Sequence, residues 1–243
     1  MRSFDYIESG KTLLTPHTTS LLAAIHEAKG RQSIQTTIRP DILGTLVAVA
    51  RIQSTDASNR IEGISTSDSR LNDLVSEKVT PRNRNEEEIA GYRDALSVIH
   101  ESHDYIPITP NVILQLHRDL FRHTPLTFAG HFKDSDNVII ERDAHGTSTV
   151  RFAPPSALVT PELIERACSA YTQAIRDGHT DPLLAIAMFI LDFTCIHPFN
   201  DGNGRMSRLL TLLMLCRNGY MVGKYISICL LYTSPSPRDT ERS

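Results

Sequence analysis

Apolar residues recur at helical spacing along most of the chain. Two runs are almost wholly apolar: Pro182-Leu183-Leu184-Ala185-Ile186-Ala187-Met188-Phe189-Ile190-Leu191 and Leu209-Leu210-Thr211-Leu212-Leu213-Met214-Leu215-Cys216. Both read as buried helices, and the polar stretch His197–Arg208 lies between them. Upstream, a helix is expected around Thr18–Lys29, ended by Gly30. Pro40-Asp41 opens a second, since proline suits the first helical turn. Leu43, Leu46, Val47 and Ala50 form its apolar stripe, and it runs on to Ser58-Asn59-Arg60-Ile61-Glu62-Gly63, where Gly63 is a natural stop. Asn85-Glu86-Glu87-Glu88 reads as a capped, acidic first turn of a helix reaching His100. Thr109-Pro110 repeats the cap-plus-proline pattern ahead of Val112, Ile113, Leu116 and Leu120. Thr160-Pro161 starts a helix that closes near Gly178, and Asp181-Pro182 starts the apolar helix that delivers His197. The last helix should stop at Asn218-Gly219.

The middle of the chain differs in kind. Asn137-Val138-Ile139-Ile140 and Thr149-Val150-Arg151-Phe152 are short β-branched runs around polar turn residues, the pattern of a hairpin, which Pro154-Pro155 ends. With short connections and no internal repeat, the chain is expected to be all-α, a compact bundle with one small β-hairpin.

Composition narrows the class. The 243 residues are 40% hydrophobic and 22% charged, ordinary for a soluble globular protein. A net charge of −3 and a pI near 6.4 argue against a broad nucleic-acid-binding surface. Cys168, Cys195, Cys216 and Cys229 form no CxxC pair and read as reduced thiols of a reducing compartment. Met1–Tyr6 lacks the apolar core of a signal peptide, and no run reaches the length of a membrane span, so a cytoplasmic protein with no membrane contact is expected. His100 and His103, three apart, read as surface or helix-end residues, and Glu86–Glu88 as a helix N-terminus. The final stretch from Cys229 to Ser243 fits none of the pattern and reads as a translated transposon-type sequencing adapter, which puts the end of natural sequence at about Ile228. The bland reading is a disordered Ser/Pro-rich tail; the codons decide between them.

The stretch His197-Pro198-Phe199-Asn200-Asp201-Gly202-Asn203-Gly204-Arg205-Met206-Ser207-Arg208 carries the chemistry. Its glycines permit a tight turn, and a helix starting near Asn203 would aim its positive end into the loop. Arg205 and Arg208 complete a polyphosphate-type anion site with a histidine beside it.

These residues fill every specified position of the signature of Fic-domain proteins: histidine, any residue, phenylalanine, any residue, an acid, Gly-Asn-Gly-Arg, two residues, arginine. The chain therefore resembles the Fic (Fic/DOC) family over most of residues 1–228. The resemblance implies an all-α Fic-type bundle with a hairpin flap. It implies residues 1–100 as an N-terminal helical region with an inhibitory helix and 101–228 as the catalytic core, which leaves 229–243 as the adapter-derived tail. It also implies transfer of AMP from ATP to a hydroxyl side chain (Ser, Thr or Tyr) of a target protein. In that reading His197 is the base, with an ordinary pKa of about 6.5, and Asp201 holds Mg²⁺. Asn203 and the N–H groups of Gly202 and Gly204 line the anion hole. Arg205 and Arg208 take the β- and γ-phosphates, Phe199 anchors the loop and Pro198 stiffens it.

Ser58-Asn59-Arg60-Ile61-Glu62-Gly63 resembles the family's inhibitory motif. A bidentate Glu62–Arg208 pair would form only while no γ-phosphate occupies the arginine, so Ser58 and Glu62 are the candidate inhibitory residues. The hairpin within Phe132–Phe152 is the expected docking element for a target, which includes the protein itself. Two other readings stand beside AMP transfer. One is removal of AMP with Glu62 orienting water. The other is a nucleotide-binding regulatory module whose missing C-terminal part contacts DNA or a partner. A homodimer is left open.

Overall fold

The computed structural model describes residues 4–38, 40–142 and 148–230. Ten α-helices and one hairpin make up the described chain. In order they are α1 (Tyr6–Leu13), α2 (Pro16–Ile38), α3 (Pro40–Ile61), α4 (Asp68–Val75), α5 (Arg84–Ser102), α6 (Pro110–Leu120), β1 (Ile139–Arg142), β2 (Ser148–Phe152), α7 (Thr160–Asp177), α8 (Pro182–Ile196), α9 (Asn203–Arg217) and α10 (Val222–Tyr225).

Local chemistry explains most boundaries. The Thr109 hydroxyl accepts from the Val112 N–H at the start of α6, and Pro110 occupies a position whose N–H would be free in any case. Asp181 caps α8 the same way through the Leu183 N–H, at 2.8 Å. Gly178 closes α7 in the left-handed region at φ 65°. Two expectations need correction, and one helix is unexpected. Helix α2 runs through Gly30, because an isolated glycine on an exposed helix costs only about 1 kcal/mol. The cap of α5 is Asn83, whose Oδ1 accepts from the Glu86 N–H at 3.0 Å, and not Asn85. Helix α4 has only eight residues, with Leu71, Leu74 and Val75 buried, too short a periodic pattern to stand out.

The main core is built by α5, α6, α7, α8 and α9. Leu96, Ile99, Ile113, Leu120, Ile164, Phe189, Phe193, Leu209 and Leu213 form one continuous cluster. It crosses residue 100 without a break, since Tyr92 to Ile99 share it with α8 and α9. Helix α1 joins it through Tyr6, whose hydroxyl donates to Asp192 at 2.9 Å. Helix α2 is fastened by His26 to Asp181 at 2.6 Å and by Lys29 to the Asn218 carbonyl at 2.6 Å. A second, smaller cluster of Leu71, Leu74, Val75 and Ile89 seats α4 on α5.

The hairpin forms as expected, antiparallel, with Ile139 opposite Phe152 and an irregularity before Ile140. Its turn lies outside the described residues, as does the tail beyond Leu230. The four cysteines are unpaired thiols. Among the described residues no helix is long and apolar enough to cross a membrane. His100 and His103 are not on the surface: both are buried. Burial, helped by the nearby cations Lys224 and Arg51 and by His103, pushes His100 down to about 4. Glu86 and Glu88 are also buried. Glu86 accepts from Arg70, whose guanidinium holds its carboxyl down at about 2.

Candidate active site

His197 stands just past the end of α8. Its N–H still closes the helix on the Phe193 carbonyl at 3.0 Å, but its backbone turns left-handed, φ 51° and ψ 62°. A residue with a Cβ adopts that region at a cost of roughly 1–2 kcal/mol, so surrounding contacts must hold it there. The imidazole is half-buried. Burial lowers its pKa and Lys133's charge acts in the same direction; a backbone hydrogen bond at Thr194 and the charge of Glu62 oppose. The net effect favours a neutral ring that accepts a proton.

The turn after His197 is braced from inside. Phe199 is fully buried and lies face to face with His117, centroids 3.7 Å apart and planes at 2°. Asn203 accepts from the Phe199 N–H at 2.9 Å and donates to the Phe199 carbonyl at 2.7 Å. The Asn203 side-chain amide is thus engaged within the loop and does not stand free, whereas the sequence reading has it lining the anion hole. Nor does the Gly202 N–H, which donates to Asp201 Oδ1 at 2.6 Å. Gly202 itself is required twice over: its φ is +81°, and a Cβ there would sit 2.8 Å from the Phe121 ring. The N–H of Gly204 belongs to the first turn of α9, where backbone donors have no intrahelical partner. Asp201 keeps its side chain 47% exposed, with Oδ2 3.8 Å from Arg84.

The two arginines have separate fates. Arg205 is 1% exposed, with Nη1 2.7 Å from Glu88 Oε2 and its guanidinium 5.0 Å from the Phe121 ring centre. It is turned inward, in a buried ion pair that ties α9 to α5, whereas the sequence reading has it on the phosphates. Arg84 partners the same glutamate, donating to Glu88 Oε1 at 2.8 Å. Arg208 instead faces α3. Its Nε donates to Ser58 Oγ at 2.8 Å, and Nη2 to the Ser58 carbonyl at 2.9 Å and to Glu62 Oε1 at 2.7 Å. Glu62 is joined by this single bond and not by the bidentate pair expected. Gly204 makes room for it: a Cβ there would come within 2.2 Å of Glu62 Oε1. Helix α3 therefore brings Ser58 and Glu62 onto the residue that closes the loop.

Three supporting residues escaped sequence reading. His117, fully buried on α6, accepts from the Gly130 N–H at Nδ1 (2.9 Å), which leaves Nε2–H to donate to the Asp201 carbonyl at 3.1 Å. Burial pushes it down to about 4, against the Asp201 contacts, so the ring stays neutral. Lys133 and Glu88 are the others. His117 and Lys133 are polar residues far from the loop with no local pattern to mark them, and Glu88 sits in an acidic run that reads only as a helix N-terminus.

Comparison with known proteins agrees with this geometry. Residues 107–215 match the Fic/DOC family. A Fido domain-containing protein of Dictyostelium discoideum is 37% identical over 90 residues, 35% of this chain and 58% of that protein. Protein adenylyltransferase fic-1 of Caenorhabditis elegans is 28% identical over 145 residues, 56% of this chain and 25% of that protein. The chain thus spans about half or less of the length of these relatives. A solved Fic family protein from Desulfovibrio desulfuricans superposes with a TM-score of 0.70 at 23% identity, covering 90% of this chain and 62% of that one. A Fic domain containing signaling protein from Bacteroides thetaiotaomicron gives 0.68 at 23% identity, with 82% and 73% covered. Residues 107–215, which include the whole loop from His197 to Arg208, are thus the part of the chain that resembles the Fic/DOC family.

Proposed function

We propose that the protein transfers AMP from ATP to a hydroxyl side chain of a target protein and that Glu62 restrains the reaction. The observation that carries this reading is the placement of His197: a half-buried imidazole with a lowered pKa, on the same braced loop as a half-exposed Asp201 carboxylate and Arg208. Relatives named protein adenylyltransferase support it.

The target hydroxyl oxygen attacks the α-phosphorus while its proton passes to His197. The bond from that phosphorus to the bridging oxygen of the β-phosphate breaks, and pyrophosphate leaves. The free N–H groups of the first turn of α9 and the Arg208 guanidinium stabilise the phosphates as charge accumulates on them. Asp201 fits a Mg²⁺ ion in donor chemistry: one accessible carboxylate oxygen suits a cation that takes the rest of its ligands from phosphates and water. Among the described residues no cluster of three ligand-type side chains stands by as an alternative. A bound Mg²⁺ would supply charge neutralisation at the phosphates.

Glu62 and a γ-phosphate would compete for Arg208 Nη2, and with Glu62 in place the nucleotide sits unsuited to in-line attack. Incubation with ATP labelled at the α-phosphate tests the whole reading. Label is expected on protein, more in Glu62→Gly and none in Glu62→Gly/His197→Ala. Label arriving only from the γ-phosphate would identify kinase chemistry instead, and nucleotide binding without label in any variant would identify a binding module.

A further inference from the structure

Lys133 lies in the connection between α6 and β1 and is 3% exposed. A buried ammonium is uncommon and costly unless its donors are satisfied. Its Nζ donates to Asn137 Oδ1 at 3.0 Å and to the Ile196 carbonyl at 3.2 Å, while its backbone N–H donates to the Pro198 carbonyl at 2.8 Å. Ile196 and Pro198 are the two neighbours of His197. One residue thus grips the chain on both sides of the imidazole-bearing position, the position whose left-handed backbone needs holding. No ion pair among the described residues includes Lys133.

We propose that Lys133 is the positioning residue of His197, clamping the backbone on both sides of the imidazole and setting a buried positive charge beside it. The proposal rests on the reading of His197 as the base. The charge has a chemical consequence. Of the groups acting on His197, burial and Lys133 favour the neutral ring, and the Thr194 backbone hydrogen bond and the Glu62 carboxylate favour the protonated one. Lys133 is itself lowered by burial, and Asp136 acts to keep its proton. Lys133 and Glu62 therefore pull the base in opposite directions. The clamp keeps it ready to accept a proton, and the inhibitory residue opposes that while it blocks Arg208.

NMR titration of the His197 imidazole in the whole protein tests this without reference to activity. In Lys133→Met, which keeps the aliphatic stem and loses the charge, the midpoint should move to higher pH. In Lys133→Arg it should stay with the parent, and in Glu62→Gly it should move to lower pH. In the Glu62→Gly background, Lys133→Met should lower kcat for transfer of α-labelled AMP by roughly a hundredfold, as misplacement of a reacting group does. KM for ATP should hold, the acid limb of the pH profile should shift upward, and Lys133→Arg should restore most of the rate. An unmoved His197 midpoint in Lys133→Met, or equal behaviour of the Arg and Met variants, overturns the proposal. Lys133→Gln carries the same predictions if Lys133→Met does not fold. Absence of AMP transfer from every variant would instead sink the proposed reaction, with the NMR midpoint still deciding the role of Lys133.

Discussion

Helices α8 and α9 bury Phe189, Phe193, Met206, Leu209, Leu210 and Leu213 completely, whereas α3 turns Ser54, Thr55, Ser58 and Asn59 toward the core. Helix α3 also leaves Ile42, Leu46 and Val49 exposed on its outer side. The first pair of helices is held by apolar packing, which stabilises by about 25 cal/mol for each Å² removed from water. Among its described residues, the inner face of α3 buries only Ala50 and Ala57 beside these polar side chains. The hydrogen bonds that cross from it, Arg51 to Ser97 and Arg208 to Ser58 and Glu62, have a net worth of about 1 kcal/mol each because water competes for the same groups. The two regions meet at Arg208, a residue of α9 that donates to Ser58 on α3 and to Glu62 just past its end. The difference teaches that the loop rests on apolar packing, while the contacts that hold Glu62 are few and polar, so breaking them should cost little.

Four measurements would break or sharpen that contrast. The largest effect is expected at the base. His197→Ala in the Glu62→Gly background should lower transfer by at least about 10²–10⁴-fold, the usual worth of a positioned general base. The variant should still fold, because the imidazole is only half-buried. Phe199→Ala, at the fully buried anchor stacked on His117, should cost about 3–5 kcal/mol in urea unfolding. A loss under about 1 kcal/mol would mean the loop is not braced as described.

Acid should act next. His100 and His117 are held neutral at about 4 in the folded protein against about 6.5 unfolded. Between those values the unfolded chain binds more protons, so stability is complete above about 6.5 and is lost as pH falls toward 4. Each buried ring accounts for up to about 3 kcal/mol over that window. Urea midpoints at pH 7 and pH 5 measure it, and His100→Leu should flatten the slope. The smallest change in stability should come from Glu62→Gly, because its ion pair is partly exposed. A shift within about 1 kcal/mol is expected, together with a rise in labelled protein. A large loss of stability there would make Glu62 a structural strut and overturn the contrast.

Local rules carried much of the fold. The run from Pro182 to Leu191 and the run from Leu209 to Cys216 are apolar enough to be buried wherever they lie. Thr109, Asp181 and Gly178 act at the helix ends beside them in sequence. The polar loop between the two runs was legible for the same reason, its glycines and charges being contiguous. What local pattern missed depends on partners far along the chain. Arg205 and Asn203 looked available for phosphate until Glu88, 117 residues earlier (205 − 88), and the Phe199 backbone were seen to engage them. His100 is the helix-end residue it looked like, but nothing in its neighbourhood tells that α5 packs on that side and buries it.

The sequence by itself determined which residues could do chemistry: a histidine, a carboxylate, two arginines and the glycines that let them share one turn. Those identities set pKa ranges, donor numbers and backbone freedom, and they are local properties. Tertiary structure decided which of them are free to act. It turned Arg205 inward against Glu88 and left Arg208 to Ser58 and Glu62. It bracketed His197 with a lysine 64 residues upstream (197 − 133) and fixed Asp201 through a histidine on another helix. Burial and long-range hydrogen bonds arise only when helices pack, so which of these side chains are engaged with others could be read only there.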